Sequence, residues 1–357
     1  MKKLNNFYDE IYKCSKCGLC QDVCPVFKIT KNEASLSRGK FLMLLSYLDG
    51  KIPLSKTLKK YLDMCTSCGA CSNFCPSNID ANKIFTLAKF EFKKKSFLNI
   101  FNFFIKFFKF FKNLFTKKRK PKYFENAQTV VYFEGCFVKC VNSKTKKATL
   151  SVLEKLKINV VQPNFECCGI VAQSLGDKKM FEYQFEKNID ILKNIQADYI
   201  IFDCASCLDV VKNYDKFFEI DDFDNIKNKC VSILEFLEIK NVKFSSNNNT
   251  QITYHKPCHL EYDAQKILNN IENVDYIQMH DFDKCCGFAG EFAIKNNKIA
   301  ESMFKNKVNN INNTPCNTVL TFCPSCELGL MMAKKYTKKK FKILNIIEFL
   351  NDLKIIS

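Results

Sequence analysis

Eight cysteines near the start of the chain fall into two groups with one spacing. CSKCGLCQDVCP places Cys14, Cys17, Cys20 and Cys24 before Pro25, and CTSCGACSNFCP places Cys65, Cys68, Cys71 and Cys75 before Pro76. Three thiols at three-residue intervals wrap one face of a cubane and reach three irons. The fourth, followed by a proline that turns the chain away, ligates the neighbouring cluster. The pattern assigns Cys14, Cys17, Cys20 and Cys75 to one 4Fe-4S cluster and Cys65, Cys68, Cys71 and Cys24 to another. Pairs of CxxC also suit tetrahedral zinc, but the repeated third cysteine and the terminal Cys-Pro speak against it.

Ten more of the 21 cysteines form two further sets. Cys136, Cys167, Cys168, Cys204 and Cys207 follow C-x30-CC-x35-C-x2-C, and Cys258, Cys285, Cys286, Cys323 and Cys326 follow C-x26-CC-x36-C-x2-C. Equivalent cysteines are offset by 122, 118, 118, 119 and 119 residues, so the second half is an internal duplication. A cubane takes one thiolate per iron, which leaves each set with a surplus thiol. That thiol either bridges irons in an opened, non-cubane cluster, which two consecutive side chains suit, or stands beside a four-ligand site as a redox-active or spare group. One or two further iron-sulfur clusters are therefore expected, with Cys285 and Cys286 the candidates for any bond chemistry; zinc held by four of the five thiols is the alternative. Gly169 and Gly287, which follow the adjacent pairs, are expected to clear space where backbone passes close to metal. Cys140, Cys230 and Cys316 read as small buried hydrophobes.

The elements that must position these thiols follow from periodicity. SRGKFLMLLSYLDG and LSKTLKKYLDM, between the first two groups, read as helices. Farther on, TVVYFEGC, INVVQPNFECC and DYIIFDCASC, then QITYHKPC, VDYIQMHDFDKCC and NTVLTFCPSC, are short β-branched or aromatic runs, each leading into cysteine. They alternate with helical segments such as DKKMFEYQFEKNIDILKNIQ and NKIAESMFKNKVNNI. Strand and helix in alternation predict mainly parallel sheets, with all ten cysteines at the carboxyl ends of the strands, where ligands sit in such sheets. The expected fold is a multidomain α+β chain. A helical two-cluster domain occupies residues 1–90, a basic Phe-rich linker helix 91–125, and two duplicated α/β domains 126–248 and 249–357.

None of the ten glycines is separated from another by a single residue, which excludes G-x-G-x-x-G, and no P-loop is present. Flavin or nicotinamide is therefore expected on another chain. Of His255, His259 and His280, only His259 adjoins a cysteine, either standing behind Cys258 or packed as an ordinary histidine. The amino terminus, MKKLNNFYDEIYKC, lacks the apolar run of a secretory signal, so the thiols are expected to be reduced and cytoplasmic.

The formal charge is +18, and residues 91–122 hold eleven Lys or Arg against one Glu. Within them FLNIFNFFIKFFKFFKNLF, residues 97–115, carries nine Phe, with polar residues recurring every three or four positions. As a helix it presents a wide aromatic face and a thin basic one. Three internal lysines weigh against a bilayer span, whereas lying in the membrane interface fits, each basic residue adding about 1 kcal/mol on anionic lipid. Docking against a partner's helices or this protein's own domains is the alternative, and nucleic acid is not expected, since the phenylalanines would stay in water.

With the eight-cysteine pattern, SRGKFLMLLSYLDG, NFECCGI, YHKPCHL and CCGFAGEFAIKNNKIAESM in place, the chain resembles the iron-sulfur subunit of glycolate oxidase and its relatives. Those relatives include the anaerobic glycerol-3-phosphate dehydrogenase C subunit, heterodisulfide reductase D and B subunits, and lactate-utilisation iron-sulfur proteins. The likeness runs over about residues 10–350. It implies an electron-transfer subunit, peripheral on the inner face of the cell membrane, that takes electrons from an FAD-containing dehydrogenase subunit oxidising a 2-hydroxy acid and passes them towards quinone. It also implies an alternative: reductive cleavage of a disulfide at a non-cubane cluster held by a CCG set.

Overall fold

The computed structural model describes residues 1–92, 122–140 and 142–356. The linker segment 97–115 lies outside the described residues, as does the side chain of Cys140. Residues 1–92 form helices and turns without a strand. The two helices expected between the first cysteine groups are present as Ser37–Leu48 and Lys56–Asp63, followed by Ala81–Phe92. Ser55 starts the second of these by accepting the Leu58 amide at 3.1 Å. Phe41, Leu44, Leu58, Leu62, Ile84 and Phe85 bury together between them, each contributing about 1.5–3 kcal/mol. This small core holds two cysteine loops of matching conformation. Lys16 and Gly18 in one, and Ser67 and Gly69 in the other, have positive φ (59°, 91°, 54° and 73°), which curls each loop so that its thiols face a common centre.

Two parallel sheets follow. The first comprises β1 (Thr129–Phe133), β2 (Asn159–Val161), β3 (Tyr199–Phe202) and β4 (Cys230–Ser232) in the order β2-β1-β3-β4. The second comprises β5 (Lys243–His255), β6 (Glu272–Tyr276), β7 (Thr318–Thr321) and β8 (Lys342–Asn345) in the order β6-β5-β7-β8. The same permutation, parallel throughout these eight strands, is the duplication in three dimensions. The duplication extends to the helices. Lys178–Lys193 and Asn297–Asn312 are both 16 residues long and differ by the 119 residues that separate Cys204 from Cys323.

Sequence reading leaves β4, β8 and β9 (Lys354–Ile356) unforeseen, since none of them, unlike the equally short β2, β3 and β7, is a run that leads into a cysteine. It also starts β5 eight residues late, at Gln251. The start of the strand, Lys243–Ser245, is drawn in because β9 pairs antiparallel with it and supplies its backbone partners. No helix among the described residues is long and apolar enough to cross a membrane.

The amino-terminal domain is fastened to both sheet domains. Lys216 pairs with Asp80 at 2.8 Å, Phe90 stacks on Phe181 at 5.4 Å, and Lys295 pairs with Asp63 at 2.9 Å. Close approach also shapes this domain internally. A Cβ at Gly39 would lie 2.3 Å from the Glu33 carbonyl oxygen, whereas one at Gly50 meets nothing within 4 Å. Gly39→Ala is expected to cost about 1–3 kcal/mol through overpacking, and Gly50→Ala about 1 kcal/mol for its φ of +71° alone. Urea unfolding of both variants checks the order.

Candidate metal centres

Cys14, Cys17, Cys20 and Cys75 line one cavity, while Cys24, Cys65, Cys68 and Cys71 line a second. Each cavity thus gathers three thiols from one loop together with the Cys-Pro cysteine of the other, Cys75 in the first and Cys24 in the second. Cys71 and Ser37 border both, so the two abut. Two cations from the SRGKF stretch stand against them. Arg38 is held by paired bonds to Glu33 at 2.8 and 2.7 Å and lies beside Cys20. Lys40, fully buried, donates to the Ser35 carbonyl and faces Cys24 and Cys71. Burial nonetheless pushes the Cys71 thiol up to about 12. A thiolate there calls for more positive charge than Lys40 supplies.

The other ten thiols form a single unbroken series. Cys136 lies 3.0 Å from Cys167, Cys168 bonds to Cys167 and Cys207, and Cys207 bonds to Cys204. Cys204 then meets Cys323 of the second repeat, from which contacts run through Cys326, Cys286 and Cys285 to Cys258. The junction is fixed by the backbone, the Ala205 amide donating to the Phe322 carbonyl at 3.1 Å, and by Ser206 at 3.6 Å from the Cys323 sulfur. At the far end Cys258 senses Cys68, and His259 donates from Nε2 to the Ser67 carbonyl (2.9 Å) and shares a hydrogen bond between Nδ1 and the Ser206 hydroxyl (3.2 Å). His259 therefore ties all three domains together where the second repeat meets the Cys68 cavity. Burial opposes its charge, but Cys258 and Asp209 hold its pKa well above the ordinary histidine range.

The two repeats differ electrostatically. Hydrogen bonding from neighbouring thiols pushes Cys136, Cys168 and Cys207 well above the usual thiol range, and burial adds to it. In the second repeat the directions alternate along the series: Cys258 and Cys286 are drawn well below it by Cys285, and Cys323 by Cys204 and Cys326, while hydrogen bonding from those neighbours pushes Cys285 and Cys326 well above it. Lys307, buried with its ammonium 2.6 Å from the Asp281 carbonyl, stands near Cys285 and Cys286, and burial lowers its pKa. Its counterpart in the first repeat (188 + 119 = 307) is Asn188.

The 4Fe-4S dicluster domain model matches residues 10–79, and the cysteine-rich CCG domain model matches residues 130–212 and again 252–331. The chain belongs to the CCG-domain iron-sulfur proteins. It is 25% identical to the D subunit of a dihydromethanophenazine:CoB–CoM heterodisulfide reductase from Methanosarcina mazei, over 96% of this chain and 94% of that one. It is 24% identical to the glycolate oxidase iron-sulfur subunit of Escherichia coli, over 90% and 89%. A hypothetical protein of Helicobacter pylori of known crystal structure shares the fold, with a TM-score of 0.54 at 12% identity, covering 98% of this chain and 76% of that one.

Within this CCG-domain protein the glycines after the paired cysteines do other work than expected. A Cβ on Gly169 would lie 2.5 Å from the Phe181 ring, and one on Gly287 would lie 2.8 Å from Met303 Cβ. Both residues have φ near +100° (106° and 91°). They let the CC loop pack on a helix rather than clear the metal side. Sulfur is met instead at Gly135, where a Cβ would lie 3.0 Å from Cys207 Sγ, and at Gly329, where one would lie 3.3 Å from Cys286 Sγ and 2.6 Å from Phe288 Cβ.

Sequence reasoning also missed the residues that hold the first CC loop. Asn188 takes the Glu166 amide at 2.9 Å and donates to the Cys167 carbonyl at 3.1 Å, and Tyr214 donates to the Cys168 carbonyl at 2.9 Å. Overlaying the two long helices at the repeat offset was the available signal. Cys230 and Cys316 are buried as small hydrophobes, burial pushing Cys230 up to about 12.

Asp203, buried just before Cys204, accepts from Tyr132 and, at 3.2 Å, from Thr149. Burial raises its carboxyl to about 6. The fold thus favours the protonated acid, a contribution fully present below about pH 4 and lost as pH rises through 6, worth up to about 3 kcal/mol. Asp203→Asn should remove it. The stability difference, wild type minus variant, is expected to fall between pH 4 and 7 in urea titrations, and a flat difference contradicts the assignment.

Proposed function

We propose that this chain is the iron-sulfur electron-transfer subunit of a flavin-linked dehydrogenase for a 2-hydroxy acid, glycolate or lactate, that delivers electrons towards membrane quinone. The observation that carries this reading is the continuity of the thiol groups, from the Cys14 cavity through the Cys24 cavity and the second repeat to Cys136. The donor sets fit iron-sulfur clusters: four thiols converge on each amino-terminal cavity, and five on each repeat. In this reading Cys14, Cys17, Cys20 and Cys75 hold one 4Fe-4S cluster, Cys65, Cys68, Cys71 and Cys24 a second, and the two CCG sets one further cluster each. Such clusters, when bound, take up and release single electrons.

The protein's own residues set the conditions for that traffic. Burial keeps water from Cys168, Cys204, Cys207, Cys286, Cys323 and Cys326, Lys40 and Arg38 balance thiolate charge in the amino-terminal cavities, and His259 fixes the distance from the Ser67 loop to Cys258. The absence of a dinucleotide motif is consistent with an FAD-containing partner. The basic aromatic segment 97–115 supports a seat on the inner face of the cytoplasmic membrane.

The completeness of both five-thiol sets and the Cys204–Cys323 contact favour a second reading, in which the repeats cleave a disulfide with electrons drawn from the amino-terminal domain. Cys65→Ser in the purified complex separates the first reading from its failure. Altering a group behind a metal ligand costs about 10–100-fold, so removing a ligand should lower flow from substrate to quinone by at least that factor. Unchanged flow would refute the relay. Loss of disulfide turnover on changing Cys285 or Cys286, with substrate-to-quinone flow intact, would favour the second reading.

A further inference from the structure

The second repeat presents a nitrogen among its thiols. His255, the last residue of β5, is fully buried, and its Nδ1 lies 3.1 Å from the Phe282 carbonyl oxygen. A carbonyl only accepts, so Nδ1 carries the hydrogen, which leaves Nε2 as the nitrogen free to offer a lone pair to a metal. Nε2 is buried with no nitrogen or oxygen partner and bears on the Cys286 thiol. His255, Cys286 and Cys326 each offer a ligand atom, and the three lie within 4.8 Å of one another.

The first repeat shows what this position is like without a donor. Phe133 pairs with Phe202 across β1 and β3 just as His255 pairs with Thr321 across β5 and β7, and 133 + 122 = 255, the offset that relates Cys136 to Cys258. Phe133 is packed in hydrocarbon, 4.5 Å from the Phe165 ring and 4.9 Å from that of Phe202. Filling space there needs only a phenyl ring. The second repeat instead has an imidazole whose tautomer is set by a backbone carbonyl, the usual arrangement behind a metal-bound histidine.

We propose that His255 is a nitrogen ligand of the metal centre in the second repeat, so that the two repeats hold centres of unlike ligation, sulfur alone in the first and sulfur plus nitrogen in the second. This rests on the iron-sulfur reading given above. Histidine in place of thiolate makes a cluster easier to reduce, which distinguishes the second centre, adjacent to Cys68, from the first.

The test uses the full chain, purified without oxygen and labelled with nitrogen-15 at histidine. Iron is counted, and the paramagnetic state, as isolated or dithionite-reduced, is examined by pulsed electron-nuclear double resonance in wild type, His255→Phe and His259→Gln. The expected result is a strongly coupled histidine nitrogen in wild type and His259→Gln that is lost in His255→Phe, with iron unchanged near about sixteen per chain. About sixteen irons with no strongly coupled histidine nitrogen in wild type overturns the role of His255 and leaves the iron-sulfur reading standing. Persistence of the coupling in His255→Phe does the same. About eight irons in wild type overturns both, since the repeats then hold no cluster. Should His255→Phe fail to fold, the labelled wild type decides alone.

Discussion

Thiolates cannot be buried side by side without a cation to share, and that constraint governs this molecule. The eighteen cysteines of the four sets stand in contact or line common cavities, with Cys136 and Cys167 3.0 Å apart. As neutral thiols they are tolerable neighbours. As ligands each carries a charge that burial penalises, and the upward pressure of burial on Cys24 and Cys71 registers that penalty directly. Multivalent metal is the one partner that removes it for a whole set at once.

The fold supplies positions where such sets can assemble. Alternating positive and negative φ bends each amino-terminal loop around its centre, and the carboxyl ends of parallel strands bring three separated segments together in each repeat. Duplication then places the two repeats so that Cys204 meets Cys323, which turns two local sites into one series. The repeats are related by descent and unequal in chemistry. At matching offsets the first has Phe133, Phe137 and Asn188 where the second has His255, His259 and Lys307. Positive charge and donor groups are thereby concentrated on the side that adjoins the amino-terminal domain.

Much of this was legible in the sequence because metal ligation imposes its own spacing. The division of eight thiols between two cavities, the duplication, the parallel sheets and the strand-end location of the ten thiols all follow from cysteine intervals and period-two runs. What escaped was long-range or conformational. Gly169 and Gly287 look like clearance for metal until the helix side chains of Phe181 and Met303 are seen behind them. Asn188 and Tyr214 act on backbone carbonyls from remote elements, so no local pattern marks them. The junction of Cys204 with Cys323 depends on how two domains dock. The extended start of β5 depends on β9, a three-residue strand more than a hundred positions later.

The most direct measurement is anomalous diffraction at the iron and zinc edges from crystals grown without oxygen. The account predicts iron at four places: among Cys14, Cys17, Cys20 and Cys75; among Cys24, Cys65, Cys68 and Cys71; and within each five-thiol set, with no zinc at any of them. Iron confined to the first two places, or zinc among the paired cysteines of either repeat, would contradict it.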